Sequence, residues 1–178
     1  MNKKIFIIIS LVVAVVIGWY LLSPLWRNIR VDESSPLTVQ DKFDSMDEAT
    51  RRQFEEALRQ AQSGEKIMQD TMPGNARLIV QGIFKPRAHD VEGQAFLIEQ
   101  NGKRILRFEN FKTINGPNLH IYLGSELGNK DFVDLGKIRA TEGNVNYEIN
   151  SSVNISKYNK VMVWCVPFSV LFSYAELK

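Results

Sequence analysis

The run from Lys160 to Leu177, KVMVWCVPFSVLFSYAEL, constrains the fold more than any other stretch. Valines, aromatics and leucines fill both parities of it, the pattern of one or two strands buried on both faces. Pro167 cannot donate to a hydrogen-bond ladder and interrupts the run between them. The chain's one cysteine, Cys165, sits inside it between Trp164 and Val166. In a regular strand Trp164 points to the face opposite Cys165.

Upstream, from Ala76 onward, the hydrophobic period is close to two. ARLIVQGIF, QAFLIEQ and KRILRFENF read as three strands, the last two joined at Asn101-Gly102, a two-residue hairpin signal. LHIYL, FVDLGKIRA and VNYEI add further strands, with turn chemistry at Asn115-Gly116-Pro117-Asn118 and at Glu142-Gly143-Asn144. About eight short strands separated by turns predict a mainly β fold, an antiparallel β-sandwich.

The N-terminal part is different. Residues 5–26, IFIIISLVVAVVIGWYLLSPLW, carry no charge and match the roughly 20 apolar residues that cross a bilayer. The run exceeds the roughly 7–15 residues of a signal-peptide core and no A-x-A-like site follows it, which favours an uncleaved signal anchor over a cleaved peptide. Trp19, Tyr20 and Trp26 stand where an aromatic belt forms. No cysteine lies nearby to take a lipid. Lys3, Lys4 and the N-terminal amine against Arg27 and Arg30 place the short N-terminus in the cytoplasm, so the expectation is a single-pass protein of the cell membrane with its C-terminal domain extracytoplasmic.

After the anchor, residues 28–44 are polar and without convincing period, and read as a spacer. A helix follows, opened by a Ser45/Glu48 capping box, with Met46, Phe54, Ala57, Leu58 and Ala61 as its apolar stripe, and closed near Ser63-Gly64. The resulting division is 1–27 as transmembrane anchor, 28–74 as linker and amphipathic helix, and 75–178 as the β domain.

Charge excludes one class of function. Beyond the anchor the chain carries 20 basic and 20 acidic side chains, and no Lys/Arg cluster, so nucleic acid is not a partner. A single cysteine in an exported domain makes no internal disulfide; it is an inert core thiol, a reactive thiol, an intermolecular crosslink or a ligand. The two histidines, His89 in the loop PRAHDVEG and His120 in LHIYL, join it as candidates for a cofactor site. A two-His, one-Cys copper site is disfavoured because no His or Met follows Cys165. His120 alternates with Leu119 and Ile121 and falls on the face they avoid. No motif assembles a nucleophile, base and acid as a hydrolase requires. Asn150-Ser151-Ser152 and Asn154-Ile155-Ser156 match the glycosylation sequon.

The succession FENFKTINGPNLHIYLG, DLGKI, NYEI and KYNKVMVWCVPFSVLFSYAEL resembles the DM-thirteen domain, an extracellular or periplasmic module. The likeness rests on Phe111, Thr113, Asn115, Gly116, Pro117, Leu119, Tyr122 and Leu123, on Tyr147, Glu148 and Ile149, and on Trp164, Cys165, Pro167, Phe168, Val170, Phe172 and Ala175. Gly82, Phe84, His89 and Gly93 match an upstream G-x-F and H-x-x-x-G pattern, so the resemblance covers 75–178. Asn110, Asn118 and Asn150 depart from it, where Asp, Asp and Pro are usual. The resemblance implies a β-sandwich with a redox or electron-transfer role centred on Cys165, as a bare thiol or as ligand to a prosthetic group such as haem. His89 or His120 would then be the second axial ligand and a redox protein the partner. The competing expectation is a non-catalytic binding module in which Cys165 is only core; neither is an ordinary enzyme.

Overall fold

The computed structural model describes residues 3–37, 47–61 and 76–178. Among the described residues are two α-helices and nine strands: α1 Lys3–Leu22, β1 Arg30–Asp32, α2 Glu48–Ala61, β2 Ala76–Pro86, β3 Val91–Gln100, β4 Lys103–Thr113, β5 Leu119–Gly124, β6 Phe132–Lys137, β7 Glu142–Ile149, β8 Lys160–Cys165 and β9 Val170–Glu176. A 3-10 turn, Ser23–Trp26, with its proline at the start where a missing N–H costs nothing, follows α1.

The strands form one sheet in the order β1-β7-β4-β3-β2-β9-β8-β5-β6. The mainly β expectation therefore holds, with nine strands in a curled, mixed sheet. The curl is made at β2, whose first part pairs with β3 through Ile83↔Gln94 and whose end pairs with β9 from Phe84↔Ala175. Inward residues of the two halves meet in a single core. Leu97, Leu106, Phe108, Val145 and Tyr147 come from one half, and Ile121, Leu123, Val161, Val163, Phe172 and Ala175 from the other.

Local chemistry fixes the details. Asn101 and Gly102, at φ 51° and 75°, make the β3–β4 hairpin that the sequence announces. A bulge in β4, with Asn110 at φ 50°, shifts the alternation so that Phe108 and Phe111 both point inward, their ring centroids 5.0 Å apart. Phe84 completes the cluster at 4.9 Å from each ring. Each such buried ring contributes about 1.5–3 kcal/mol relative to an exposed one.

Part of the polar stretch after the anchor is not a free spacer. Arg30–Asp32 adds to the sheet edge as β1, parallel to β7 with Val31 opposite Gly143. Thr141 locks the approach: Ile29 N–H donates to its Oγ1 at 2.8 Å and its own N–H returns to Ile29 O at 2.8 Å. Arg107, on the outer face of β4 and almost fully buried, holds the continuation by donating to the Glu33 and Ser34 carbonyls at 2.9 and 3.1 Å. In α2 the cap is Asp47, whose Oδ1 accepts from the Ala49 and Thr50 N–H groups. The expected Ser45 half of a capping box, Met46 and the Ser63-Gly64 stop lie outside the described residues.

Candidate functional site

Cys165 is the last residue of β8, where it pairs with Leu119 of β5 and Val170 of β9. The strand stops there because Val166-Pro167-Phe168-Ser169 turns back, Ser169 N–H donating to Val166 O at 3.3 Å with Ser169 itself at φ 51°. The thiol faces the core and is completely buried; Trp164 is on the other face, in a separate cluster with Tyr122 and Met162. The Cys165 S–H donates to Pro117 O at 3.4 Å. Burial pushes the thiol pKa up, with the Phe168 N–H as a smaller opposing influence, so the sulfur is protonated at neutral pH.

The loop from Ile114 to Asn118 forms the next wall. Asn115 Oδ1 accepts from Gly116 N–H, and its Nδ2 donates to Arg27 O at 2.8 Å, tying the loop to the chain just past α1. Gly116 makes room for its neighbours: a Cβ there would meet the Phe172 ring at 3.0 Å and Leu119 at 3.2 Å, so both side chains would have to give way. The far edge of the Phe172 ring thus packs against the loop, and the His89 ring stands 4.0 Å from it, centroid to centroid, at an interplanar angle of 57°. The loop carrying His89 is pinned in place by the Arg87, Ala88 and His89 N–H groups, all donating to Phe172 O.

These elements enclose an open-mouthed pocket of about 370 Å³, lined by Leu21, Leu22, His89, Pro117, Cys165, Phe168, Val170 and Phe172. Cys165 and His89 are thus brought to one place. His120 is not. It lies on the outer face of β5 opposite Trp164, half-buried, its Nδ1 2.9 Å from Asp134 Oδ2. Among the described residues no three His, Cys, Asp or Glu side chains stand close enough to share a metal ion. A larger hollow of about 500 Å³, lined by Ile79, Arg104 and the 151–156 loop, has its cation committed: Arg104 donates to the Ser151 and Val153 carbonyls.

Residues 83–177, more than half the chain, match the family model described as electron transfer DM13. The chain belongs to this family. No curated protein matches it, and no solved structure does. In this DM13 domain the pocket gathers six residues on which the resemblance rests: His89, Pro117, Cys165, Phe168, Val170 and Phe172. Tyr147 works one layer away, its buried hydroxyl accepting from Arg139 N–H at 3.0 Å and its pKa pushed up to about 12 by burial.

The resemblance implies haem, and the pocket can be tested against that group. A thiol and an imidazole are suitable donor types. The sulfur, however, is sealed and already donates to Pro117 O, and among the described residues the lining offers no Lys or Arg for the macrocycle's carboxylates. These residues do not fit a thiolate-ligated haem. What sequence reasoning missed is Asn115 as the link to the end of α1, and the contribution of Leu21 and Leu22 to the lining. The signal for the first was present, since a buried asparagine side chain needs partners.

Proposed function

We propose that this protein is a membrane-anchored, extracytoplasmic electron-transfer module whose working site is the Cys165 pocket. Membership of the DM13 family supports electron transfer in general terms. The observation that supports this particular site is the convergence of Cys165, His89, Pro117, Phe168 and Phe172 on one hollow. Helix α1, 20 residues long and without a buried residue, is long and apolar enough to cross a membrane. In this reading 1–27 is the anchor, 28–74 the connection that lends β1 to the sheet, and 75–178 the working domain. The geometry favours Cys165 as a bare, protonated thiol at the pocket floor over a thiolate ligand, and a separate redox protein exchanges electrons with the domain.

The test is protein-film voltammetry on the full chain in lipid nanodiscs, wild type beside Cys165→Ser. A reversible wave whose midpoint moves or vanishes in the variant, with circular dichroism unchanged, supports the site. An identical wave in both places the redox centre elsewhere. One observation favours a second reading, a binding module with a structural cysteine: the complete burial of Cys165. That reading gains if neither protein gives a wave and Cys165 resists alkylation until the chain is denatured.

A further inference from the structure

The pocket's lining includes the end of α1. Leu21 and Leu22 are in the last turn of α1, the helix apolar enough to span a bilayer, and they line the same hollow as Cys165. Only four residues lie between Leu22 and Arg27, whose carbonyl is held by Asn115, so five residue steps, at most about 18 Å of chain, join helix end to pocket wall. The β8–β9 turn, which lends Phe168 to the lining, leaves Phe168 54% exposed and Val166 36% exposed. Apolar side chains projecting beside the end of a membrane span meet the interfacial layer of the bilayer, not bulk water.

The lining defines the ligand's chemistry. Its side chains are hydrocarbon or aromatic except for the Cys165 thiol and the His89 imidazole. The thiol is occupied with Pro117 O, whereas among the described residues the half-buried imidazole has a ring contact and no hydrogen-bond partner. A charged ligand finds no countercharge there among the described residues, and burying it would be costly. A flat, uncharged ring stacks well on Phe172 and Phe168 and can accept from His89 through a carbonyl oxygen. The volume of about 370 Å³ suits a single ring system better than a large ligand, being at the low end of the roughly 300–1,000 Å³ of small-molecule sites.

We infer that the Cys165 pocket opens toward the membrane and binds the headgroup of a lipid-soluble carbonyl-bearing redox carrier of the quinone class, oriented by His89. This rests on the electron-transfer reading and on α1 as a membrane span, and it names the ligand class for that site.

The experiment is isothermal calorimetry on the full chain in nanodiscs. The probe is a fully ring-substituted benzoquinone with a decyl tail, chosen because full substitution blocks addition of thiols. A sulfonated naphthoquinone serves as the charged comparison. Saturable binding of the decyl probe is expected, weakened about tenfold in His89→Phe and lost in Val170→Trp, which fills the hollow. Thermal unfolding of both variants is followed so that loss of fold is separated from loss of site. Equal binding by wild type and a folded Val170→Trp overturns the inference, as does equal affinity for the charged compound. So does finding a phospholipid acyl chain in the pocket that the quinone cannot displace. If voltammetry gives a Cys165-dependent wave while the probe fails to bind, the ligand class falls and the electron-transfer reading stands. If the probe binds and no wave appears, the reverse holds.

Discussion

Gly143 is where the anchor-proximal segment presses on the sheet, and replacing it with alanine tests whether that contact holds the two together. Gly143 sits at φ 111°, and a Cβ there would lie 2.0 Å from Val31 O of β1. Two costs follow from Gly143→Ala. The left-handed backbone is strained by about 1–3 kcal/mol for a residue with a Cβ. The overlap cannot be absorbed by a side-chain rotation, because the obstacle is backbone. Strand β1 must therefore lift, which endangers the two Ile29–Thr141 bonds and Glu33 N–H to Asn144 O at 2.9 Å. At about 1 kcal/mol net for each of these three hydrogen bonds, added to the strain, the sum is about 4–6 kcal/mol. Gly102→Ala is the control: φ is 75° there and nothing lies within 4 Å, so only the backbone cost of about 1–2 kcal/mol remains. Melting of the full chain in detergent, followed by near-ultraviolet circular dichroism, should fall by about 12–18 °C for Gly143→Ala and by about 3–6 °C for Gly102→Ala, at about 3 °C per kcal/mol for a chain of this size. Protease cleavage within residues 28–37 should appear in the first variant alone. Equal losses in the two would refute the reasoning, since they would mean that β1 is not held against Gly143.

Arg107→Ala should cost about 3–5 kcal/mol in urea unfolding, because it strands the Glu33 and Ser34 carbonyls and Asn146 Oδ1 that the buried guanidinium satisfies; Arg107→Lys should recover little, having no planar fork. Alkaline pH should destabilise the protein in a defined window. Tyr147 and Cys165 are both held neutral by burial, Tyr147 up to about 12, while the unfolded chain ionises them near 9.0 for the thiol and 10.0 for the phenol. Their contribution is full below about pH 9 and is lost as pH rises toward 12, so the urea midpoint should fall across that range and Tyr147→Phe should fall less steeply.

The strands were legible because their chemistry is local. Alternation from Ala76 onward, the Asn101-Gly102 turn and the proline after Cys165 each state a backbone preference that the packed sheet then accepts. Even the opposite placement of Trp164 and Cys165, and of His120 and Leu119, follows from a period of two. β1 was not legible, and the reason is physical. A three-residue strand has no measurable period, and Arg30-Val31-Asp32 is chosen by what it meets: Glu142 opposite Arg30 at 3.0 Å, and a glycine that lets the backbones approach. Its partner β7 lies more than a hundred positions away, and nothing in either segment alone announces the other.

The same distinction separates the site's parts. Cys165, His89 and the Asn115-Gly116-Pro117 turn are recognisable as motifs, but a motif does not say which way its side chains converge. That depends on the curl at β2, which carries the His89 loop over Phe172 of β9. It also depends on Gly116, whose missing Cβ lets the Phe172 ring that contacts the imidazole approach the loop. His120 shows the converse: chemically the equal of His89, it is committed to Asp134 on the far side of the sheet and takes no part in the pocket. One sheet thus presents a thiol and an imidazole together in an apolar hollow beside the end of α1, and it is this placement, more than the cysteine itself, that makes an electron carrier from the lipid phase a physically suitable ligand.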